Sequence, residues 1–192
     1  MKVYLSPRAR LAALAPIVIL VFLAGCASNR SFGSNVDDFN ADASLKRILL
    51  VNREHDYSDI DITVFEGRVM LTGTMRSPEG QTKLVENAFR APNVIQVIDE
   101  TVLNNKTPFK QGVTDGRIDQ ALKARLITDR GITSRNFKIA VSAGTTYLLG
   151  VARDEEELVR VLNHAKSTRG VRRVVSHILY QDDPTRFART HN

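Results

Sequence analysis

Residues 66–73 read Glu66-Gly67-Arg68-Val69-Met70-Leu71-Thr72-Gly73, and residues 143–150 read Ala143-Gly144-Thr145-Thr146-Tyr147-Leu148-Leu149-Gly150. Each octapeptide has a turn-forming pair at its start, Leu at its sixth position and Gly at its last. The two lie 77 residues apart, and the same offset holds on both sides of them. Ile60, Ile62 and Val64 match Phe137, Ile139 and Val141. Leu45 matches Leu122, Val94 matches Val171, and Val97 matches Val174. No gap is needed. A fixed offset of this kind marks a duplicated structural unit.

Each copy reads as helix, strand, strand, helix, strand. In the first, Asp42 to Val51 carries Leu45, Ile48 and Leu49 at helical spacing. Asp59 to Phe65 alternates polar and apolar residues, the period of a half-buried strand. Glu66-Gly67 turns the chain into a returning strand, Arg68 to Thr74. Ser77-Pro78-Glu79 opens a helix with an N-cap, a proline at the first turn and an acid at the positive end of the dipole. Asn93 to Leu103 closes the unit. In the second copy Thr114 or Asp115 is the expected cap of a helix running to about Thr128. Arg135–Ala143 and Thr145–Val151 form a hairpin. Asp154 to Glu157 has the spacing of a capping box, and Gly170 to Tyr180 is the last strand. The fold class is α+β: two tandem small units, each a three-stranded mixed sheet on two helices. A unit of about 65 residues is marginal alone, so the two are expected to dock.

The N-terminus carries an address. Lys2, Arg8 and Arg10 precede an apolar run, Leu11 to Leu23, and Leu23-Ala24-Gly25-Cys26 has the form of a lipobox. The run is short for a membrane-spanning helix, which needs about 20 residues. Residues 1–25 are read as a lipoprotein signal peptide and Cys26, the only cysteine, as the lipidated residue. With no Asp after Cys26, the expected location is the outer membrane, facing the periplasm. Residues 26–39 form the lipidated cysteine and a tether, 40–104 the first domain, 105–113 a linker, 114–182 the second domain and 183–192 a flexible tail.

The chain of 192 residues has 43% hydrophobic and 25% charged residues, values of a folded protein. One cysteine excludes an intramolecular disulfide framework and a multi-cysteine zinc site. The formal charge of +6 includes the three cations of the leader, so the remainder is less basic. A periplasmic location leaves no place for a nucleic-acid partner. Charge divides between the copies: residues 40–104 hold 7 Lys and Arg against 10 Asp and Glu, residues 112–182 hold 12 against 8. A lipid surface would use the basic half, since each cation near an anionic bilayer contributes about 1 kcal/mol. The candidates are Arg117, Lys123, Arg125, Arg130 and Arg135, with Ile118, Leu126 and Ile127 as shallow anchors. The competing reading is a solvated helix whose apolar residues face the core, as expected for Leu122. Arg169, Arg172 and Arg173 form a second cluster, placed to meet headgroups or to pair with Asp154 to Glu157.

His55, His164, His177 and His191 show no metal spacing; Glu157 and His164, seven apart on one helix, are the nearest pair. No phosphate loop, nucleophile elbow or zincin helix is present. Paired acids such as Asp59 and Asp61 fall on the polar face of a strand. The expectation is a protein without catalytic residues, metal or cofactor.

The hairpin glycine, the Leu-x-Gly of the second strand, and the third-strand motifs Asn93-Val94-Ile95-Gln96-Val97 and Gly170-Val171-Arg172-Arg173-Val174 together resemble the BON domain. A lipobox followed by two such units is similar to the dual-BON outer-membrane lipoproteins. The resemblance spans residues 40–181 and implies a non-enzymatic protein of envelope integrity whose second domain binds anionic phospholipid. It places the lipid-facing surface on the first helix of that domain, here Arg117 to Ile127. Where the family has a Trp near the start of this helix, this chain has Arg117. The alternative class is an interaction adaptor, whose sheet edges or interdomain groove receive a partner from the outer-membrane assembly machinery.

Overall fold

The computed structural model describes residues 43–47, 55–104 and 109–188, the first three of the last span by their backbone only. The lipobox, Cys26, the tether, Ile48, Leu49, residues 105–108 and His191 lie outside the described residues. The first unit comprises α1, described over 43–47, then β1 (Ile60–Phe65), β2 (Arg68–Met75), α2 (Pro78–Arg90) and β3 (Gln96–Leu103). The second repeats it as α3 (Phe109–Thr128), a 3-10 turn (Ser134–Asn136), β4 (Phe137–Ser142), β5 (Thr145–Ala152), α4 (Glu155–Ser167) and β6 (Arg173–Tyr180).

Each sheet has the order first, second, third strand, the first pair antiparallel and the second parallel. The hairpins turn on two residues. Glu66 and Gly67 have φ of 51° and 73°, Ala143 and Gly144 of 49° and 75°, the double positive φ of a type I′ turn. A parallel partner needs a crossover, which α2 and α4 supply. Ser77 caps α2 by accepting from the Gly80 N–H, and Asp154 caps α4 by accepting from the Glu157 N–H.

The helix-side cores follow the repeat. Leu45, Val69, Leu71 and Leu84 pack together in the first unit, and Leu122, Leu148, Val161 and Ala165 in the second. The opposite faces of the sheets are buried too. Phe65 and Met70 pack against Ala140, Tyr147, Leu149 and Val151, with Ile98 and Val175 beside them. The units therefore dock sheet to sheet, leaving the helices as outer layers. This explains why β2 and β5 are buried at nearly every position, where a one-faced sheet would alternate. Burying each of these large side chains contributes roughly 1.5–3 kcal/mol.

Two boundaries differ from the sequence expectation. Helix α3 starts at Phe109, so part of the expected linker is helical and Asp115 falls inside the helix. Instead of capping it, the Asp115 carboxylate accepts the N–H groups of Ala143 and Gly144 at 2.8 and 2.9 Å, clamping the second hairpin. A buried carboxylate receiving two backbone donors compensates its lost hydration. The expected flexible tail is held over its described part. The Arg186 guanidinium donates two bonds to the Glu66 carboxylate, at 2.7 and 2.6 Å, and so ties residues after β6 to the first hairpin.

Gly73 and Gly150 mark where each first strand enters its sheet. A Cβ at Gly73 would overlap the Asp59 carbonyl oxygen, and one at Gly150 the Asn136 carbonyl oxygen. Backbone atoms cannot rotate away, so Gly150→Ala should lower stability by about 3 kcal/mol or more. Urea denaturation of the variant checks this; an unchanged midpoint would contradict the close approach.

Candidate functional site

Helix α3 divides its side chains sharply. Ile118, Leu122 and Leu126 are at most 2% exposed and face the sheet. Ile118 and Leu126 are thus core residues and are unavailable as shallow lipid anchors; their spacing of four around Leu122 places all three on one face. Ile127 lies on the other side and is 70% exposed. At 100° per residue, Val113, Gln120, Ala124 and Ile127 stand opposite Leu122, with Arg117 among them. All five are exposed. Lys123 and Arg125 occupy the two flanks. Lys123 is paired with Asp119 at 2.7 Å, which offsets its charge, while Arg125 donates to the Ser167 hydroxyl at 2.9 Å. Arg130 follows the helix in an exposed turn, and Arg135 sits apart on the 3-10 turn, also exposed. The structure therefore gathers Arg117, Arg125 and Ile127 on one helix, places Lys123 at its margin and leaves Arg130 and Arg135 beyond it.

The second cluster does not pair with the acids at the start of α4. Asp154 bonds Arg153 and Glu156 bonds Arg160, both at 2.8 Å. Arg172 instead donates to the Ala143 carbonyl on the β4–β5 turn. Arg169 and Arg173 are exposed.

Glu157 is fully buried, with Oε1 accepting from the Thr133 N–H at 2.6 Å and Oε2 from the Arg153 N–H at 2.7 Å. Its spacing from Asp154 suggested a capping box. The second bond of a capping box normally goes to the N-cap residue; here it goes one residue earlier, and the other oxygen braces the loop before β4. Nothing in the local sequence announces that loop as a partner.

His164 does not face Glu157. Its ring Nε2 meets Asp129 Oδ2 at 2.8 Å, bridging α4 to the end of α3. The Ser167 and Thr168 hydroxyls bond the His164 carbonyl and not its ring, so no serine nucleophile joins this pair. His177 Nε2 meets Glu100 Oε1 at 2.8 Å across the interface between the units. These two residues are themselves 77 apart, equivalent positions in contact across a local twofold relation. Arg68, 3% exposed, supports the junction by donating to Gln96 and to the His177 carbonyl, at 2.8 and 2.9 Å. Burial lowers the Arg68 pKa, opposed by the Glu66 and Asp183 charges. Sequence reading treated these histidines as surface residues; their partners come from other elements. Among the described residues no three His, Cys, Asp or Glu side chains are grouped to hold a metal ion, and no helix is long and apolar enough to cross a membrane.

The geometry and the repeat define the class. The chain belongs to the BON domain family: the family model matches residues 37–105 and 114–182, one match to each unit. A protein of Anaplasma centrale, described as an "uncharacterized protein in gshII 5'region", is 34% identical over 123 residues, covering 64% of this chain and 82% of that one. Among solved structures, two of CdsD, a structural protein of the type III secretion system of Chlamydia trachomatis, align at 15% and 12% identity. Their TM-scores are 0.30 and 0.31, covering 72% of this chain in both cases and 64% and 90% of those chains. At that level the likeness carries no argument about arrangement or role.

The His164 hydrogen bond is the largest influence holding the Asp129 carboxyl below the ordinary carboxylate range, followed by the Gly131 N–H. A carboxyl with a depressed folded-state pKa stabilises above its unfolded value and loses that contribution as pH falls through the folded value. Asp129→Asn should therefore lower stability at neutral pH and flatten the acid limb of the stability profile. Thermal melts across a series from neutral pH into the acid range read this; parallel profiles would exclude it.

Proposed function

We propose that this protein is a lipoprotein of the outer membrane, anchored through Cys26 and facing the periplasm, that supports envelope integrity by binding and not by catalysis. Its second BON domain is the lipid-contacting part, selecting anionic phospholipid. The observation that carries the reading is the outward face of α3. Val113 and Ile127 are 48% and 70% exposed, Ala124 lies between them, and Arg117 and Arg125 stand beside them. An apolar stripe beside cations suits a helix lying in the headgroup layer: the apolar groups enter the interface and the cations meet phosphate. Shallow insertion is all that Ile127 and Val113 can provide, so affinity depends on charge and on tethering. Acyl chains at Cys26 would hold the domain near the bilayer and raise its effective concentration there.

The adaptor reading retains one favourable observation. β1 and β4 are sheet edges, and edges recruit strands. The two readings separate on vesicles. Residues 27–192 should bind phosphatidylglycerol vesicles and not phosphatidylcholine vesicles, with affinity falling as salt is added. Arg117→Glu with Ile127→Asp should weaken binding roughly tenfold or more, through loss of a cation and an apolar contact. Absence of binding to either vesicle, or indifference to these substitutions, would transfer the case to the adaptor. For the anchor, Cys26→Ser should abolish incorporation of labelled palmitate; retained label would rule out this lipidation site.

A further inference from the structure

A cleft of about 660 Å³ opens where β1 and β4 meet the inner side of α3. Its walls bring Asp59 and Asp61 of the first unit opposite Asp119 and Lys123 of the second, with Thr72 at the base. A further cavity of about 310 Å³ shares Gly73, Thr74, Asn104, Ser142 and Ala143 with it and continues to Val102, Tyr147 and Arg173. The two are one elongated groove, acidic at one end and apolar with a single cation at the other.

Three independent features describe what fits. First, both long walls are sheet edges, because β1 and β4 each pair on one side only, with β2 and β5. A two-residue hairpin closes with a hydrogen-bonded pair, Phe65 with Arg68 and Ser142 with Thr145. Alternation then turns the N–H and C=O of Ile62 and Val64, and of Ile139 and Val141, away from their own sheets. An extended chain is the ligand that pairs with such a row. Second, polar atoms in the groove are buried without partners. Thr72 is 1% exposed and its Oγ1 has no hydrogen bond, and Asp119 Oδ1 has none while Oδ2 holds Lys123. Unmet buried polar groups are costly, and a donor entering the groove would satisfy them. Third, carboxylates outnumber cations at that end, and they are spread along the cleft instead of converging on one point.

We propose that this interdomain groove binds an extended, cationic segment of a partner polypeptide, whose backbone adds to the β1 or β4 edge and whose lysine or arginine side chains meet Asp61 and Asp119. The site is separate from the outward face of α3, so it stands or falls independently of the lipid reading. Binding here requires both units docked, because each supplies one wall.

The test uses the full chain in detergent and a fluorescent octapeptide of alternating lysine and threonine, read by anisotropy. The expected result is saturable one-to-one binding that is absent for the glutamate–threonine counterpart. Methylating alternate backbone nitrogens of the same peptide should weaken it roughly tenfold, because edge pairing is lost while charge is kept. Asp61→Asn with Asp119→Asn should weaken it roughly tenfold as well. Asp61→Asn alone, at an exposed strand position, gives a smaller loss in the same direction and keeps the test decisive should the double variant fold poorly. No saturable binding, or equal affinity for the methylated peptide, or affinity unchanged in both aspartate variants, would overturn the proposal.

Discussion

Burial of the second face of each sheet is the constraint on which the rest of the molecule depends. A three-stranded sheet with two helices covers only one of its faces, and a unit of about 65 residues gains little from so small a core. Here Met70 and Phe65 of one sheet meet Tyr147, Leu149 and Val151 of the other. The packed sheets force the helices outward, and that alone turns Val113, Arg117 and Ile127 of α3 toward the surroundings while Ile118, Leu122 and Leu126 stay within. It also sets β1 beside β4, which creates the groove between them. Membrane face and groove are thus two consequences of one packing arrangement.

The duplication gives this interface an approximate twofold relation, seen in the contact between Glu100 and His177. The two halves are nonetheless chemically unequal. Thr72 stands where the second unit has Leu149, and Met70 where it has Tyr147. The first unit is acidic and the second basic. Such divergence after duplication leaves the packed faces compatible while the outer surfaces acquire different partners. Cations concentrate on the half proposed to meet lipid, and the carboxylates of β1 lie in the half that supplies the acidic wall of the groove.

Several charged groups serve the fold and not a ligand. Asp115 clamps the second hairpin through two backbone donors, and Glu157 braces the loop before β4. Glu66 and Arg186 close the described end of the chain onto the first hairpin. Each removes a carboxylate from the surface by giving it near-complete hydrogen bonding, the condition under which burial of a charge is tolerated. The carboxylates left to act outward are those whose oxygens are not consumed in this way, among them Asp61 and one oxygen of Asp119.

By itself the sequence determined the unit, its duplication and its internal order. Those features rest on short-range rules: alternation over Ile60 to Phe65, the positive-φ turn at Glu66-Gly67, the caps Ser77 and Asp154, and a constant offset of 77. The basic helix of the second unit was also legible as a candidate surface. Which of its apolar residues face outward was not, because Ile118, Leu126 and Ile127 are equally hydrophobic and only the direction of the packed sheet separates them. The partners of His164, His177, Glu157 and Asp115 were invisible for a similar reason. Each lies on another element, between 24 and 77 residues away, and no local pattern encodes such a contact. Tertiary structure decided these points because hydrogen bonds and burial act between surfaces, and surfaces exist only after the two sheets have met.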